Sequence, residues 1–472
     1  MSTALVLFRR DLRLTDNPAL SAACATHAKV LPVFIHAPDE DGEWTAGAAS
    51  RWWLHHSLAA LDNQLRAQHA GLHLRQGDTL DVLRELIRTS NATAVYWNRL
   101  YEPASIARDT HIKSALREQG IAVHSHNAAL WCEPWQIATQ QGDPYKVFTP
   151  YWRNLRPQLQ AVDPLPEPAL PGWNKLPGGL PLAALDLLPR IRWDNGLAET
   201  WQPGEAGAQE LLDIFGDDAI GNYAKARDLP ARHGTSRLSP HLHFGEISPR
   251  QIHAELDRRA QRADAKRRPD IEPYLRELGW REFAHHLLFH FPQTPTANFN
   301  PRFADFAWAP PDDALLARWQ QGRTGIPLVD AGMRELWHTG WMHNRVRMIV
   351  ASFLTKNLRQ QWQHGTRWFW DTLVDADLAN NTLGWQWVAG SGADAAPYFR
   401  VFNPVTQAQK FDPDGEYLRR WLPELASAPL PLLHEPWKDP ALLRRTGYPA
   451  PMLDLGKSRL AALDAYRVMR HG

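Results

Sequence analysis

The chain predicts an α/β domain built on a five-stranded parallel, Rossmann-like sheet, followed by an all-α domain. Three observations predict it. Up to residue 131, short apolar runs alternate with amphipathic helical stretches, the pattern of a parallel sheet covered on both faces. After Trp201 the strand signals vanish and capped helices take over. The 472 residues exceed one ordinary core, and a Pro-rich stretch separates the two patterns. The expected division is 1–131 for the α/β domain, 132–200 for a connector and 201–472 for the helical domain.

In order, residues 4–8, Ala-Leu-Val-Leu-Phe, read as a buried strand. Asp16-Asn17-Pro18 opens a helix with Pro at its first position. Val30 to His36 is a second strand. Leu54, Leu58, Leu61 and Leu65 share one face of a helix over 47–69. Leu72 to Leu74 is a short strand, and a helix from Thr79 turns Leu80, Leu83 and Ile87 inward. Ala94 to Trp97 and Ile121 to His124 are the last strands, with a helix over 103–119 between them. Where a glycine-rich phosphate loop would follow the first strand, the chain has Arg9-Arg10-Asp11, which excludes a standard dinucleotide or P-loop site. Pro157 to Arg192 lacks a hydrophobic period and reads as an extended crossover. Beyond it, Ser248-Pro249 starts a helix by cap and Pro. Further helices are expected over 270–290, 328–339 and 341–358, near Glu416 after the Asp412-Pro-Asp-Gly turn, and near Ser458.

Composition narrows function. Lys+Arg total 52 against 51 Asp+Glu, so nucleic acid would need a local basic patch. Cys24 and Cys132, the only cysteines, give neither a disulfide framework nor zinc spacing and point to a reducing cytoplasm. The N-terminus lacks the order of a signal peptide, and no apolar run is long enough to span a membrane. No His-Glu-x-x-His, serine elbow or Cys/His nucleophile pair occurs, so metal and ordinary hydrolytic chemistry are without support.

Four stretches carry unusual polar residues. Asp375-x-Asp377, Asn380-Asn381 and Trp385-x-Trp387 are followed by small residues, Pro397 and Tyr398-Phe399-Arg400. Acids, amides and indoles together suit a polar-aromatic ligand; a capping Asp before a Trp-rich core helix would look the same. Thr235-Ser236-Arg237-Leu238-Ser239 offers hydroxyls and a cation for an anion, or a capped turn. Glu277, Trp280 and Arg281 share a helical face that could read and stack a base, or form a surface ion-pair helix. In Trp341-Met-His-Asn-Arg-Val-Arg-Met348, residues Asn344, Arg347, Met348 and Ala351 share a face, and Asp375 is the natural partner for Arg347.

Together these stretches closely resemble the photolyase/cryptochrome family, and within it the cyclobutane pyrimidine dimer photolyases. The resemblance runs from Leu5-Val-Leu-Phe-Arg-Arg-Asp-Leu-Arg-Leu-Thr-Asp-Asn-Pro past Phe411. Tyr223…Arg227-Asp, Thr235-Ser-Arg-Leu-Ser-Pro, Glu277…Trp280-Arg-Glu-Phe, the 341–348 stretch, Asp375-x-Asp377 and Trp385-Gln-Trp387 occur in the family's order. It implies an N-terminal antenna domain and a helical domain holding FAD. Tyr223 and Thr235, Ser236, Arg237, Leu238 and Ser239 would hold its phosphates and ribityl chain. Tyr274, Arg281, Asn344, Arg347, Asp375, Asp377 and Asn381 would line the rest, with Asp377 at the ring edge and Asn381 at N5. The implied activity is light-driven electron transfer from reduced FAD to a flipped-out dimer in UV-damaged DNA. Glu277, Trp280, Asn344, Met348, Asn381 and Trp387 would form the reactive site. Arg227, Arg345 and Arg400, with Glu277, Trp280 and Trp387, would hold the DNA. Trp385, Trp362 and Trp308 match the family's electron-transfer chain.

Asn344 and Met348 stand where (6-4) photolyases carry His, and Asn381 stands where plant cryptochromes carry Asp. These positions favour dimer repair over the two alternatives, a (6-4) photolyase or a cryptochrome-type blue-light receptor. With the chain ending at Gly472, about where photolyases stop, a signalling tail is expected to be absent or very short. For a second, antenna chromophore, Tyr101-Glu102-Pro103-Ala104-Ser105-Ile106 lacks the polar pair of folate-binding relatives. Folate is therefore not expected; a deazaflavin, a second flavin or no antenna remain open. A monomer without metal is expected.

Overall fold

The computed structural model describes residues 2–160, 162–171, 176–263, 269–395 and 399–471. Ala396, Pro397 and Tyr398, part of the small-residue run singled out above, lie outside them. Strands β1 (Thr3–Phe8), β2 (Lys29–His36), β3 (His73–Gln76), β4 (Ala92–Asn98) and β5 (Ala122–His126) form a sheet in the order β3-β2-β1-β4-β5. Every neighbouring pair is parallel. Central β1 is buried from Ala4 to Phe8, and Leu5 lies between Leu31 and Val95. An unbroken apolar run is what a strand buried on both faces requires. The intervening helices start where their caps predict: the Asn17 side chain accepts from Leu20 N–H, and Asp78 accepts from Asp81 N–H.

Strand order reverses beside β1, the place where doubly wound sheets bind ligands. Here the chain's own side chains occupy it. Asp11 accepts from Arg9 N–H and from Asn98 Nδ2, both at 2.6 Å. Asn98 also donates to Asn17 at 2.7 Å, and Arg9 pairs with Asp109 at 2.6 Å. The residues that replace a glycine-rich loop thus fill the position of a dinucleotide phosphate.

The chain divides into two compact units: residues 1–194, 198–221 and 236–292, and residues 195–197, 222–235 and 293–472. The first holds the sheet and the Pro249–Arg262 and Glu272–His290 helices. The second is helical in its described residues, around an apolar cluster that includes Trp319, Trp362, Trp385, Phe353 and Tyr417. Two expectations need correction. Within 132–200 a helix forms, Phe148–Leu155, burying Phe148, Tyr151, Trp152 and Leu155 at the i, i+3, i+4, i+7 spacing of one helical face. The helix expected over 341–358 starts only at Asn344 and changes at Phe353 into a π-helical turn ending at Asn357. Among the described residues no helix is long and apolar enough to cross a membrane.

Candidate active site

The expected site residues are distributed over both units. In the first, the Glu272–His290 helix buries Tyr274, Leu275, Leu278, Gly279, Glu282 and Phe283 and leaves Glu277, Trp280 and Arg281 half-buried. Gly279 is required by packing: a Cβ there would lie 2.4 Å from the Trp152 ring. Beside it, Trp280 stacks flat on Phe148, centroids 3.7 Å apart and planes 11° apart, and meets Phe283 edge-on at 5.9 Å. Face-to-face contact this close fixes the indole's plane. Arg281 donates to the Ala129 carbonyl at 2.7 Å, so part of the guanidinium expected at the cofactor is committed to the loop after β5.

Next to it, Glu282 is buried and accepts from the N–H groups of Trp131 and Cys132 at 3.0 and 3.3 Å. Burial pushes its carboxyl up from 4.5 to about 7, against the pull of Arg281 and those two N–H groups. A raised carboxyl means the folded state holds the proton more tightly than the unfolded chain. Stability from this group is therefore greatest below pH 4.5, falls as pH rises toward 7, and is flat above. Glu282→Gln removes the titration. Between pH 5 and pH 8 the wild type is expected to lose about 3 kcal/mol relative to the variant, read as diverging unfolding midpoints. Parallel midpoint curves would contradict the assignment.

In the 235–239 stretch, Arg237 has φ 56°, a left-handed conformation rare for a non-glycine residue. The Ser236 hydroxyl oxygen accepts from Leu238 N–H at 3.3 Å and from the Tyr274 hydroxyl at 2.8 Å. Two expected cofactor residues, Ser236 and Tyr274, are thus joined to each other. The Arg237 guanidinium lies 4.4 Å over Trp201, and Leu238 is buried just before the short Ser239–Phe244 helix.

In the second unit, the Asn344–Ser352 helix is capped by His343, whose Nδ1 accepts from Arg345 N–H at 3.2 Å. Burial lowers the His343 imidazole to about 4, which keeps it neutral and able to accept. Asn344, at the first helical position, is exposed. Arg347 grips both oxygens of Asp375 at 3.0 and 2.8 Å and donates to the Met342 carbonyl at 2.7 Å; the pair expected from sequence forms. Arg345, expected on a DNA phosphate, pairs with Asp228 at 2.8 Å, lies 4.5 Å over Phe411, and approaches the Met348 sulfur at 3.7 Å. Arg227 is half-buried, 5.7 Å over the ring of buried Tyr223, and Thr235 is half-buried. Arg400 is exposed and 4.8 Å over Phe402.

Asp377 caps the Leu378–Ala389 helix: its Oδ1 accepts from Asn380 N–H at 2.8 Å and Nδ2 at 2.7 Å. The capping alternative for this stretch is therefore realised, and the carboxylate is held rigid by it. Asn381 donates from Nδ2 to the Thr366 carbonyl at 3.1 Å. A Cβ at Gly384, three residues on, would meet nothing within 4 Å. Thr382 Oγ1 is buried without a partner. Within the second unit, buried acceptors, a paired Arg, a fixed amide and open space beside it make a polar set that fits an FAD ring system.

Trp385 and Trp362 are buried in the apolar cluster, and Trp308 packs half-buried against it. Trp362 donates to Asn298 at 2.9 Å, and Trp308 to the Phe303 carbonyl at 3.4 Å. Trp387 donates to the Asp394 carbonyl at 3.0 Å. Sequence reasoning missed Phe148, Asp228 and the buried Lys356. Only Phe148 had a local signal, the helical spacing of its apolar neighbours.

A family model described as the FAD binding domain of DNA photolyase matches residues 274–468, and one described as DNA photolyase matches residues 4–169. A deoxyribodipyrimidine photo-lyase from Agrobacterium fabrum is 45% identical over 99% of this chain and 98% of its own. Cryptochrome-2 from Arabidopsis thaliana is 40% identical over 96% of this chain and 77% of its own. The crystal structure of a bacterial class III photolyase from Agrobacterium tumefaciens superimposes with a TM-score of 0.94 at 44% identity, covering 100% of this chain and 98% of that one. The chain belongs to the photolyase/cryptochrome family.

Proposed function

We propose that the protein is a deoxyribodipyrimidine photo-lyase that uses blue light and FAD to split cyclobutane pyrimidine dimers in DNA. The observation that carries this reading is the Glu277–Trp280 pair. The two lie one turn apart on a helix that buries most of its residues, and Phe148 holds the indole flat at 3.7 Å. A fixed, half-buried indole beside a carboxylate suits a flipped-out pyrimidine dimer: one face to stack on, one acceptor for its edge. FAD, when bound and reduced, supplies the electron on excitation and takes it back. The residues of the chain bind, orient and exclude water. Asp375 with Arg347, Asp377 and Asn381 hold the ring. Met348 and Trp387 wall the lesion. Arg227 and Arg400 contact the phosphates, and Arg345 does so in competition with Asp228. Flipping costs a few kcal/mol, and stacking returns about 1–3 kcal/mol per base. The protein acts as a monomer in the cytoplasm, where its two free thiols stay reduced.

The test uses chemically reduced protein and an oligonucleotide with one thymine dimer, following base absorbance with and without blue light. Light-dependent recovery is expected. No recovery from protein with reduced flavin bound would turn the assignment toward a receptor, the reading that the 40% identity to a cryptochrome supports, or toward a (6-4) substrate. Glu277→Ala is expected to lower the repair yield per flash while flavin content stays that of the wild type. An unchanged yield would remove Glu277 from the reaction.

A further inference from the structure

The Asn344–Ser352 helix continues into the π-helical turn Phe353–Asn357, closed by Leu358 N–H donating to the Phe353 carbonyl at 2.9 Å. Single π turns within helices recur at functional sites, because the wider turn re-aims the side chains it carries. This one carries Lys356, which is only 4% exposed beside fully buried Phe353 and Leu354. An ammonium so placed is costly unless its protons have acceptors. Lys356 Nζ donates to the Arg400 carbonyl at 2.5 Å and lies 4.4 Å from the Phe399 ring. One turn earlier, the Ser352 hydroxyl accepts from Phe402 N–H at 3.3 Å. Two side chains of one continuous helical run therefore hold the backbone on either side of residue 401. From the other direction, Tyr466 stacks on Phe399 at 4.5 Å and 9°. The helix bearing Tyr466 is itself tied to the π turn by Asn357 donating to Ser458 at 2.9 Å. Lys356, Trp387, Phe399 and Arg400 line a common cleft.

We propose that Lys356 is a positioning residue for DNA binding. With Ser352 it clamps the 399–402 segment to the helix carrying Asn344, Arg345, Arg347 and Met348, so that Arg400 meets a phosphate without first being ordered. The inference rests on the reading of Arg400 as a phosphate contact. A preordered segment binds more tightly than one ordered on contact, so loss of the clamp acts through Arg400 alone.

A double-mutant cycle tests this by anisotropy of the FAD-loaded protein with a labelled dimer-containing oligonucleotide over a range of salt. Arg400→Ala is expected to weaken binding about tenfold and to reduce the salt slope by about one. Lys356→Met is expected to weaken binding about three- to tenfold with a similar loss of slope, and to cost nothing further in the Arg400→Ala background. If Lys356→Met does not fold, Ser352→Ala, which removes the other clamp, carries the same cycle. If Arg400→Ala binds as wild type, the phosphate reading of Arg400 falls and the inference with it. If Arg400→Ala weakens binding but the clamp variant binds as wild type, or loses the same factor in both backgrounds, only the inference falls.

Discussion

Asp375→Ala is expected to lower the unfolding free energy by about 2–4 kcal/mol and to yield protein depleted of flavin. The carboxylate side chain is 4% exposed, and its partner Arg347 is 24% exposed. Removing the acid leaves a half-buried guanidinium that still donates to the Met342 carbonyl but has lost its counter-charge. Breaking such a pair from one side typically costs 3–5 kcal/mol when both charges are fully buried; the exposure of Arg347 brings the figure down. The pair also joins the Asn344–Ser352 helix to the residues just before the Leu378–Ala389 helix, so its loss loosens two elements carrying Asn344, Asp377 and Asn381. The double variant Arg347→Met with Asp375→Ala is expected to be more stable than Asp375→Ala alone, since it removes the unpaired charge. Unfolding midpoints and flavin absorbance per chain decide. A wild-type midpoint with full flavin content in Asp375→Ala would show that the pair is incidental.

This pair was legible because the sequence placed Arg347 on a helical face where a cation needs a partner and offered Asp375 as one. The sheet was legible from local pattern too: each strand is a short apolar run, Asn17-Pro18 announces the first helix, and the spacing of Leu80, Leu83 and Ile87 marks another. Other features had no local signal. The Pro-rich composition around 157–192 drew residues 148–155 into a connector and hid the helical spacing of Phe148, Tyr151, Trp152 and Leu155. Asp228 reaches Arg345 across 117 positions of sequence, which no local pattern encodes. The π turn at 353–357 is a change of hydrogen-bond partner within a helical run, set by packing and not by propensity. At Asp377, the cap and the ligand readings predict the same residues, and the structure realises the cap. Trp385 and Trp362 are core residues by burial and Trp308 is half-buried against them; family order alone marks the three as more.

Their role is separable from packing at Trp385. Trp385→Phe is expected to abolish light-driven reduction of the oxidised flavin while chemically reduced protein still repairs dimers. Phe keeps an aromatic ring in the cluster but removes the easily oxidised indole. Gly365→Ala is expected to give the same photochemical loss by a different route. Gly365 lies on the Trp362–Thr372 helix, and a Cβ there would stand 2.0 Å from Trp385 Cη2 and 2.3 Å from Cζ3. The indole cannot slide away freely: Phe369 meets it edge-on at 4.9 Å and Trp319 at 6.3 Å. Either the ring leaves its rotamer or the two helices part, at about 1–3 kcal/mol or more. Gly365→Ala should therefore be less stable than wild type through overpacking and should show altered Trp fluorescence, whereas Trp385→Phe is destabilised through the cavity the smaller ring leaves. Flash photolysis of the oxidised proteins, followed by repair with the chemically reduced ones, separates the cases. Photoreduction of Trp385→Phe at the wild-type rate would take the electron-transfer role from this indole. Failure of its reduced form to repair would instead place Trp385 in the lesion or flavin site.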